Sequence, residues 1–231
     1  SFDQDDVPIT SVTNGVHAGT WVAPEVLALS NGVSTDGPEG WQAIANTPDA
    51  TFWAVKRELR VRLVEKARAR LRESWINRGA SPAELDWIDS VLDPDVLTIG
   101  FARRVPSYKR LTLMLSDPER LKKILLDPVR PVQLVIAGKS HPADEGGKKL
   151  IQTLVRFTDD PEVRHRIVFL PDYDMGLASW LYPGCDVWLN NPRVPREASG
   201  TSGMTAAMNG SVNFSTDDGW IPEFVNHGNN G

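Results

Sequence analysis

The sequence predicts an α/β fold: a parallel sheet with helices on both faces, preceded by a helical segment. Two observations predict it. From Asp93 onward, short apolar runs alternate with stretches of helical spacing. Short apolar strands separated by helices imply a parallel sheet covered on both faces. The residues of unusual chemistry fall just after the runs, and parallel sheets bind ligands beyond the carboxyl ends of their strands.

Residues 1–50 are punctuated by turn signals, Asn14-Gly15, Asn31-Gly32, Asp36-Gly37-Pro38 and Thr47-Pro48-Asp49, with one short helix expected over Pro24–Leu29. Residues 50–79 read as a long amphipathic helix, because Phe52, Val55, Leu59, Leu63, Ala67 and Leu71 recur at helical spacing. The basic residues between them, Arg57, Arg60, Lys66, Arg68, Arg70 and Arg72, read as a solvated face. Ser81-Pro82-Ala83-Glu84 has a capping serine and a proline at the first helical position, so a helix is expected to start there. Residues 1–92 are thus expected to form a lead-in segment packed on a sheet domain over 93–231.

Within that domain the expected strands are Val96–Phe101, Val132–Ala137, Arg166–Leu170, Cys185–Leu189 and Ser211–Ser215. The expected helices are Arg110–Leu126, 143–157, Met175–Tyr182 and Gly203–Asn209. Short strands joined through helices give a parallel sheet covered on both sides.

Composition narrows the class. The 231 residues are 41% hydrophobic and 24% charged, ordinary values for a globular domain. A net charge of −5 offers no basic surplus of the kind nucleic-acid binding shows. No run approaches a membrane span, and the acidic opening Ser1-Phe2-Asp3-Gln4-Asp5-Asp6 lacks a signal-peptide core, which favours the cytoplasm. The single cysteine, Cys185, rules out an internal disulfide and reads as a buried strand residue. Both ends read as cut: there is no initiator methionine and no closing helix after Asn229-Asn230-Gly231.

Five segments could carry chemistry. Arg103-Arg104-Val105-Pro106-Ser107-Tyr108-Lys109-Arg110 follows the first strand and is expected to open a helix. It is either an ordinary basic loop or an oxyanion site, since guanidinium grips phosphate with paired bonds and lysine adds a compact charge. Ala137-Gly138-Lys139-Ser140-His141-Pro142 is too short for a P-loop. Tyr173 and Asp174 follow the third strand, where Asp174 also suits a helix cap. Glu197-Ala198-Ser199-Gly200-Thr201-Ser202-Gly203 runs into a helix, and its small residues let backbone amides approach an anion. A carboxylate just ahead of such a loop suits paired sugar hydroxyls. Asn14-Gly15 is a turn that also offers an amide side chain.

Glu197-Ala198-Ser199-Gly200-Thr201-Ser202-Gly203-Met204-Thr205 resembles the loop Glu-Ala-Ser-Gly-Thr-x-x-Met-Lys of the α-glucan (glycogen, starch) phosphorylases. The likeness extends over most of residues 11–231, including the Arg-x-x-x-Tyr-Lys-Arg segment ending at Arg110 and the Thr-Asn-Gly turn at Thr13. It implies one Rossmann-like half of a two-domain glycosyltransferase fold, with the amino-terminal partner domain missing. It implies transfer of a terminal α-1,4-glucosyl unit to phosphate, giving glucose 1-phosphate, and little activity from this half alone. By resemblance, Arg104 and Lys109 bind the substrate phosphate. Asn14, Glu197, Ser199 and Gly200 bind the glucosyl unit, and Tyr173, Thr201 and Ser202 face the phosphate of pyridoxal phosphate. The family's final lysine, which holds that cofactor as an imine, is Thr205 here. A hydroxyl forms no imine, so the expected cofactor is not covalently bound.

Two other readings use the same residues. A sugar-nucleotide-dependent glucosyltransferase of glycogen-synthase type shares the fold and a glutamate-plus-glycine loop and needs no lysine at position 205. A glucan-binding module needs no catalysis.

Overall fold

A computed structural model describes residues 10, 12–104, 110–226 and 228–229. Its centre is a five-stranded, all-parallel sheet: β1 Leu97–Arg104, β2 Val132–Lys139, β3 Ile167–Pro171, β4 Val187–Asn190 and β5 Val212–Ser215, in the spatial order β3-β2-β1-β4-β5. The order in which the chain adds strands reverses between β1 and β4, the switch point at which such parallel sheets open a crevice.

Helices cover both faces, as expected. They are α1 Ala18–Trp21, α2 Pro24–Ala28, α3 Pro38–Ala45, α4 Asp49–Asn77, α5 Pro118–Leu125, α6 Glu145–Thr158, α7 Met175–Gly184, α8 Thr201–Met208 and α9 Ile221–Phe224. Alternation along the strands sorts the core into two layers. Ala102, Val135, Ala137, Val168, Leu170 and Trp188 face α4, α7 and α8. Phe101, Leu134, Ile136, Ile167 and Phe169 pack with Leu121 and Leu125 of α5 and Leu154 of α6. A fully buried tryptophan such as Trp188 contributes about 2–3 kcal/mol through burial.

Several local expectations are corrected. β1 runs three residues beyond Phe101, because the Arg103–Gly138 and Arg104–Lys139 pairings with β2 keep it extended. Arg103 and Arg104 are therefore strand residues, not the start of a helix. The helix expected over Arg110–Leu126 is a turn and one tight turn at Leu113–Ser116, with α5 starting only at Pro118, where Asp117 accepts from Arg120 N. A proline disfavours helical backbone at the residue before it, which sets that boundary. Ser81–Glu84 does close a capping box, Ser81 N donating to Glu84 Oε2 at 2.8 Å, but it starts only two short tight turns, Pro82–Glu84 and Asp86–Ser90. Cys185 is buried, but it caps the end of α7 rather than lying in β4.

The basic face of α4 is only partly solvated. Arg60 is buried, ion-paired with Asp186, and donates to Pro94 O. Arg68 donates to the carbonyls of Val91 and Leu92 at 2.8 and 2.9 Å. Lys56, also buried, donates to the carbonyls of Pro183, Cys185 and Asn209 at 2.6, 2.8 and 3.1 Å. These carbonyls lie at the carboxyl ends of α7 and α8, where helices leave acceptors unmatched and cations are favoured. Burial nevertheless pulls Lys56 down to about 8, against attraction from Cys185 and Asp186.

Candidate functional site

The carboxyl rim of the sheet presents Arg103 and Arg104 from β1, Lys139 from β2, Asn190 from β4 and Ser215 from β5. The connection leaving β4 brings Glu197 back to β1. Arg103 Nη1 donates to Glu197 Oε2 at 2.9 Å, and both side chains are buried. The Arg103 guanidinium also lies 5.7 Å from the centre of the Phe101 ring. Glu197 is thus an ion-paired carboxylate inside the rim rather than one standing in solvent.

The loop beyond it is fixed by its backbone. Gly200 sits at φ 82° and ψ 49° and is the residue before α8. For a residue with a side chain that left-handed conformation costs about 1–2 kcal/mol, which is why glycine is needed there. Gly203 N donates to Gly200 O at 3.0 Å, leaving the Thr201 and Ser202 amides without acceptors inside α8. Those amides and the positive end of the helix form a cradle for an anion.

The remaining expected residues are placed around this loop as follows. Ser199 is buried, and its hydroxyl donates to Asn14 O at 3.4 Å, which brings the segment at Asn14 against the loop. That segment is irregular rather than the turn expected from Asn14-Gly15, and Thr13 anchors it by donating to Glu223. The Ser202 hydroxyl accepts from Trp188 Nε1 at 3.3 Å, so it is turned toward the sheet. Tyr173, just past β3, shares a hydrogen bond between hydroxyls with Tyr182, and burial raises the titration of both. The Tyr182 ring packs 4.6 Å from Trp188 and 6.0 Å from Trp21. Tilted and edge-on pairs of this kind add about 0.5–1.5 kcal/mol each. Asp174 caps α7 by accepting from Leu177 N at 2.7 Å.

Arg104 stands exposed at the end of β1, and strand alternation sets its side chain opposite that of Arg103. It shares the rim with Glu197, but no hydrogen bond joins it to the 197–205 segment among the described residues. Lys109 lies outside the described residues. Arg110, grouped with them by sequence, instead grips the connection after β4: Nε donates to Asn191 O at 2.8 Å and Nη2 to Pro192 O at 3.0 Å.

Sequence reasoning passed over Arg103 as the partner of Glu197, and over Asn190 and Asp218. Asn190 Nδ2 donates to Ser215 Oγ at 2.9 Å, while its buried Oδ1 has no partner among the described residues. Asp218 Oδ2 accepts from Glu197 N at 3.0 Å. Asp218-Gly219 is a turn dipeptide three residues past the end of β5, a signal that marks a turn but not what the turn holds. Among the described residues no group of His, Cys, Asp or Glu is arranged to hold a metal ion.

The fit of a covalently tethered cofactor is decided at Thr205. This side chain is buried, and its hydroxyl donates to Thr201 O at 3.1 Å. Its carbonyl accepts from Asn209 Nδ2, which also donates to Trp21 O, while Asn209 Oδ1 accepts from Ala23 N. Position 205 is therefore a closed, hydrogen-bonded part of α8 with no amine. The cradle suits a phosphate; the tether position does not suit an imine.

Comparison with known proteins agrees with this fold. A family model described as carbohydrate phosphorylase matches residues 9–227. Glycogen phosphorylase of Mycobacterium tuberculosis (strain ATCC 25618 / H37Rv) is 59% identical over 234 residues, covering 100% of this chain and 27% of that protein. Glycogen phosphorylase of Aquifex aeolicus is 46% identical over 237 residues, covering 100% of this chain and 34% of that protein. Maltodextrin phosphorylase of Thermococcus litoralis is 40% identical over 234 residues, covering 98% of this chain and 27% of that protein. The chain thus spans roughly a quarter to a third of the length of these curated relatives. With a family model over nearly its whole length and a parallel sheet whose rim carries the glutamate–glycine loop, this chain belongs to the carbohydrate phosphorylase family.

Proposed function

We propose that this chain supplies the phosphate-binding and part of the glucose-binding wall of an α-glucan phosphorylase. The observation that carries the proposal is the Glu197–Thr201 loop: a buried carboxylate paired with Arg103 of β1, a left-handed Gly200 and the amino end of α8 follow one another at the rim of the sheet. In this reading the Thr201 and Ser202 amides, with Arg104 and Lys109, receive phosphate oxygens, a charge-assisted arrangement. Glu197, Ser199, Gly200 and Asn14 meet the hydroxyls of a glucosyl unit. Tyr173 lines the crevice from the β3 side. The reaction served is transfer of a terminal α-1,4-glucosyl unit between an α-glucan and phosphate, with glucose 1-phosphate as the other partner. Such transfer depends on holding donor and acceptor together, so a second wall from outside this chain completes the cleft. A cytoplasmic setting accompanies the reading, with Cys185 as a free, buried thiol.

Pyridoxal phosphate belongs to this reading only as a group without a covalent link, because position 205 offers a hydroxyl.

Calorimetric titration with inorganic phosphate, glucose 1-phosphate and a nucleoside diphosphate glucose tests the proposal. Binding of the first two and not the third is expected. Preference for the nucleotide sugar would replace the reading with a glycogen-synthase-type transferase. Binding of none of them would leave a glucan-binding module.

A further inference from the structure

We infer that Asp218 is a positioning residue for the glucose-binding half of this site, acting through Glu197; the inference rests on the reading just given. The turn after β5 is built against the loop after β4 by two hydrogen bonds, and a third within the turn orients the Asp218 carboxyl group. Asp218 Oδ2 accepts from Glu197 N at 3.0 Å, which fixes the backbone at the carboxylate itself. Asp218 Oδ1 accepts from Gly219 N at 2.9 Å, so the carboxyl group spans both segments. Trp220 N donates to Ser199 O at 2.9 Å, closing the pairing two residues further along.

The approach is close enough to require glycine at 219. The residue has φ 65°, and a Cβ there would lie 2.3 Å from Ser199 O and 3.2 Å from Glu197 Cγ. Asp218 is itself 8% exposed, so its carboxylate is committed to these amides rather than to solvent. Glu197 is then held from two sides, by Arg103 at its side chain and by Asp218 at its backbone. The anion cradle at Thr201 and Ser202 lies beyond Gly200 and is set by α8 instead. The two halves of the site therefore have separate supports, and Asp218 serves the sugar half.

The test uses Asp218→Ala, Asp218→Asn and Gly219→Ala in this chain, with thermal melting to confirm folding. Amide hydrogen exchange reads the positioning directly. In Asp218→Ala, protection at Glu197 N is expected to fall about tenfold, the worth of one hydrogen bond to a charged acceptor, with Val135 in the sheet unchanged. Glucose 1-phosphate should bind about tenfold more weakly while inorganic phosphate changes less than twofold. Asp218→Asn, which keeps one acceptor oxygen, should recover much of both losses. Gly219→Ala should reproduce the selective loss without touching the carboxylate. Unchanged protection at Glu197, or equal weakening of both ligands, overturns the inference. If the unsubstituted chain binds phosphate but not glucose 1-phosphate, the functional reading of Glu197 fails instead, and the exchange measurement still decides the positioning.

Discussion

Removing Asp186 tests the buried charges of α4. Arg60 and Asp186 have side chains only 3% and 6% exposed, and the pair joins α4 to the turn between α7 and β4. Asp186 Oδ2 also accepts from Thr98 N at 2.9 Å, inside β1. Asp186→Ala therefore leaves a buried guanidinium without its counterion and a buried amide without its acceptor. Breaking one side of a buried pair costs about 3–5 kcal/mol. The orphaned amide adds about 1–3 kcal/mol, not fully additive because both losses share one side chain. A loss of about 4 kcal/mol is expected, which lowers the melting temperature by roughly 8–16 °C for a chain of this size. Urea unfolding followed by fluorescence of the 8 tryptophans gives the free energy, with thermal melts beside it. The double variant Arg60→Met with Asp186→Leu should return to within about 2 kcal/mol of the parent, because it removes both charges together. A loss under about 1 kcal/mol in Asp186→Ala would refute the reasoning, since it would mean that Arg60 reaches water at little cost, past Trp53, whose ring lies 5.1 Å from its guanidinium.

Lys56, held down to about 8 by burial, gives stability a pH dependence of definite sign. Between pH 8 and its ordinary value of 10.5 the unfolded chain binds the proton and the folded one does not, so this group's contribution to stability rises with pH there and is flat below the window. Cys185, whose thiol burial pushes upward, acts in the opposite sense as the unfolded thiol ionises. Comparing urea melts of the parent and Lys56→Met at pH 7.5 and 9.5 isolates the lysine; an identical slope in both would sink the assignment. Gly200→Ala should cost about 1–2 kcal/mol from its left-handed backbone alone, because the nearest atom to a Cβ there is an ordinary 3.4 Å away; a neutral result in chemical unfolding would contradict the cap geometry. Borohydride reduction in the presence of pyridoxal phosphate, read by mass spectrometry, should add no phosphopyridoxyl group, whereas a labelled lysine would show that another amine has taken the tether's place. Thr205→Lys, placed in a chain completed to the length of the relatives, should bring back imine absorbance.

The parts of the fold that rest on local pattern were legible in the chain. Short apolar runs marked four strands and the alternating Ser211–Ser215 the fifth, and the spacing from Phe52 to Leu71 marked α4 to within a few residues. Boundaries were less legible where a partner sets them. β1 extends through Arg103 and Arg104 because β2 pairs with it, and nothing in Arg103-Arg104 itself favours a strand over a loop. The charges on α4 look alike in sequence, yet Arg60 and Lys56 turn inward, where Asp186 and the ends of α7 and α8 meet them, while Arg57 stays outside with Asp95.

The same division runs through the site. The resemblance to the phosphorylases picked out the Glu197–Thr201 loop, whose small residues and leading carboxylate also suit an anion and sugar hydroxyls. It also fixed the consequence of Thr205, since a hydroxyl lacks the nucleophilic amine whatever surrounds it. The tertiary structure decided which groups hold that loop. Arg103 and Asp218 are distant from Glu197 along the chain, and their meeting depends on β1, β4 and β5 lying side by side. Pairing between remote segments is a property of sheet order, which short-range pattern does not encode.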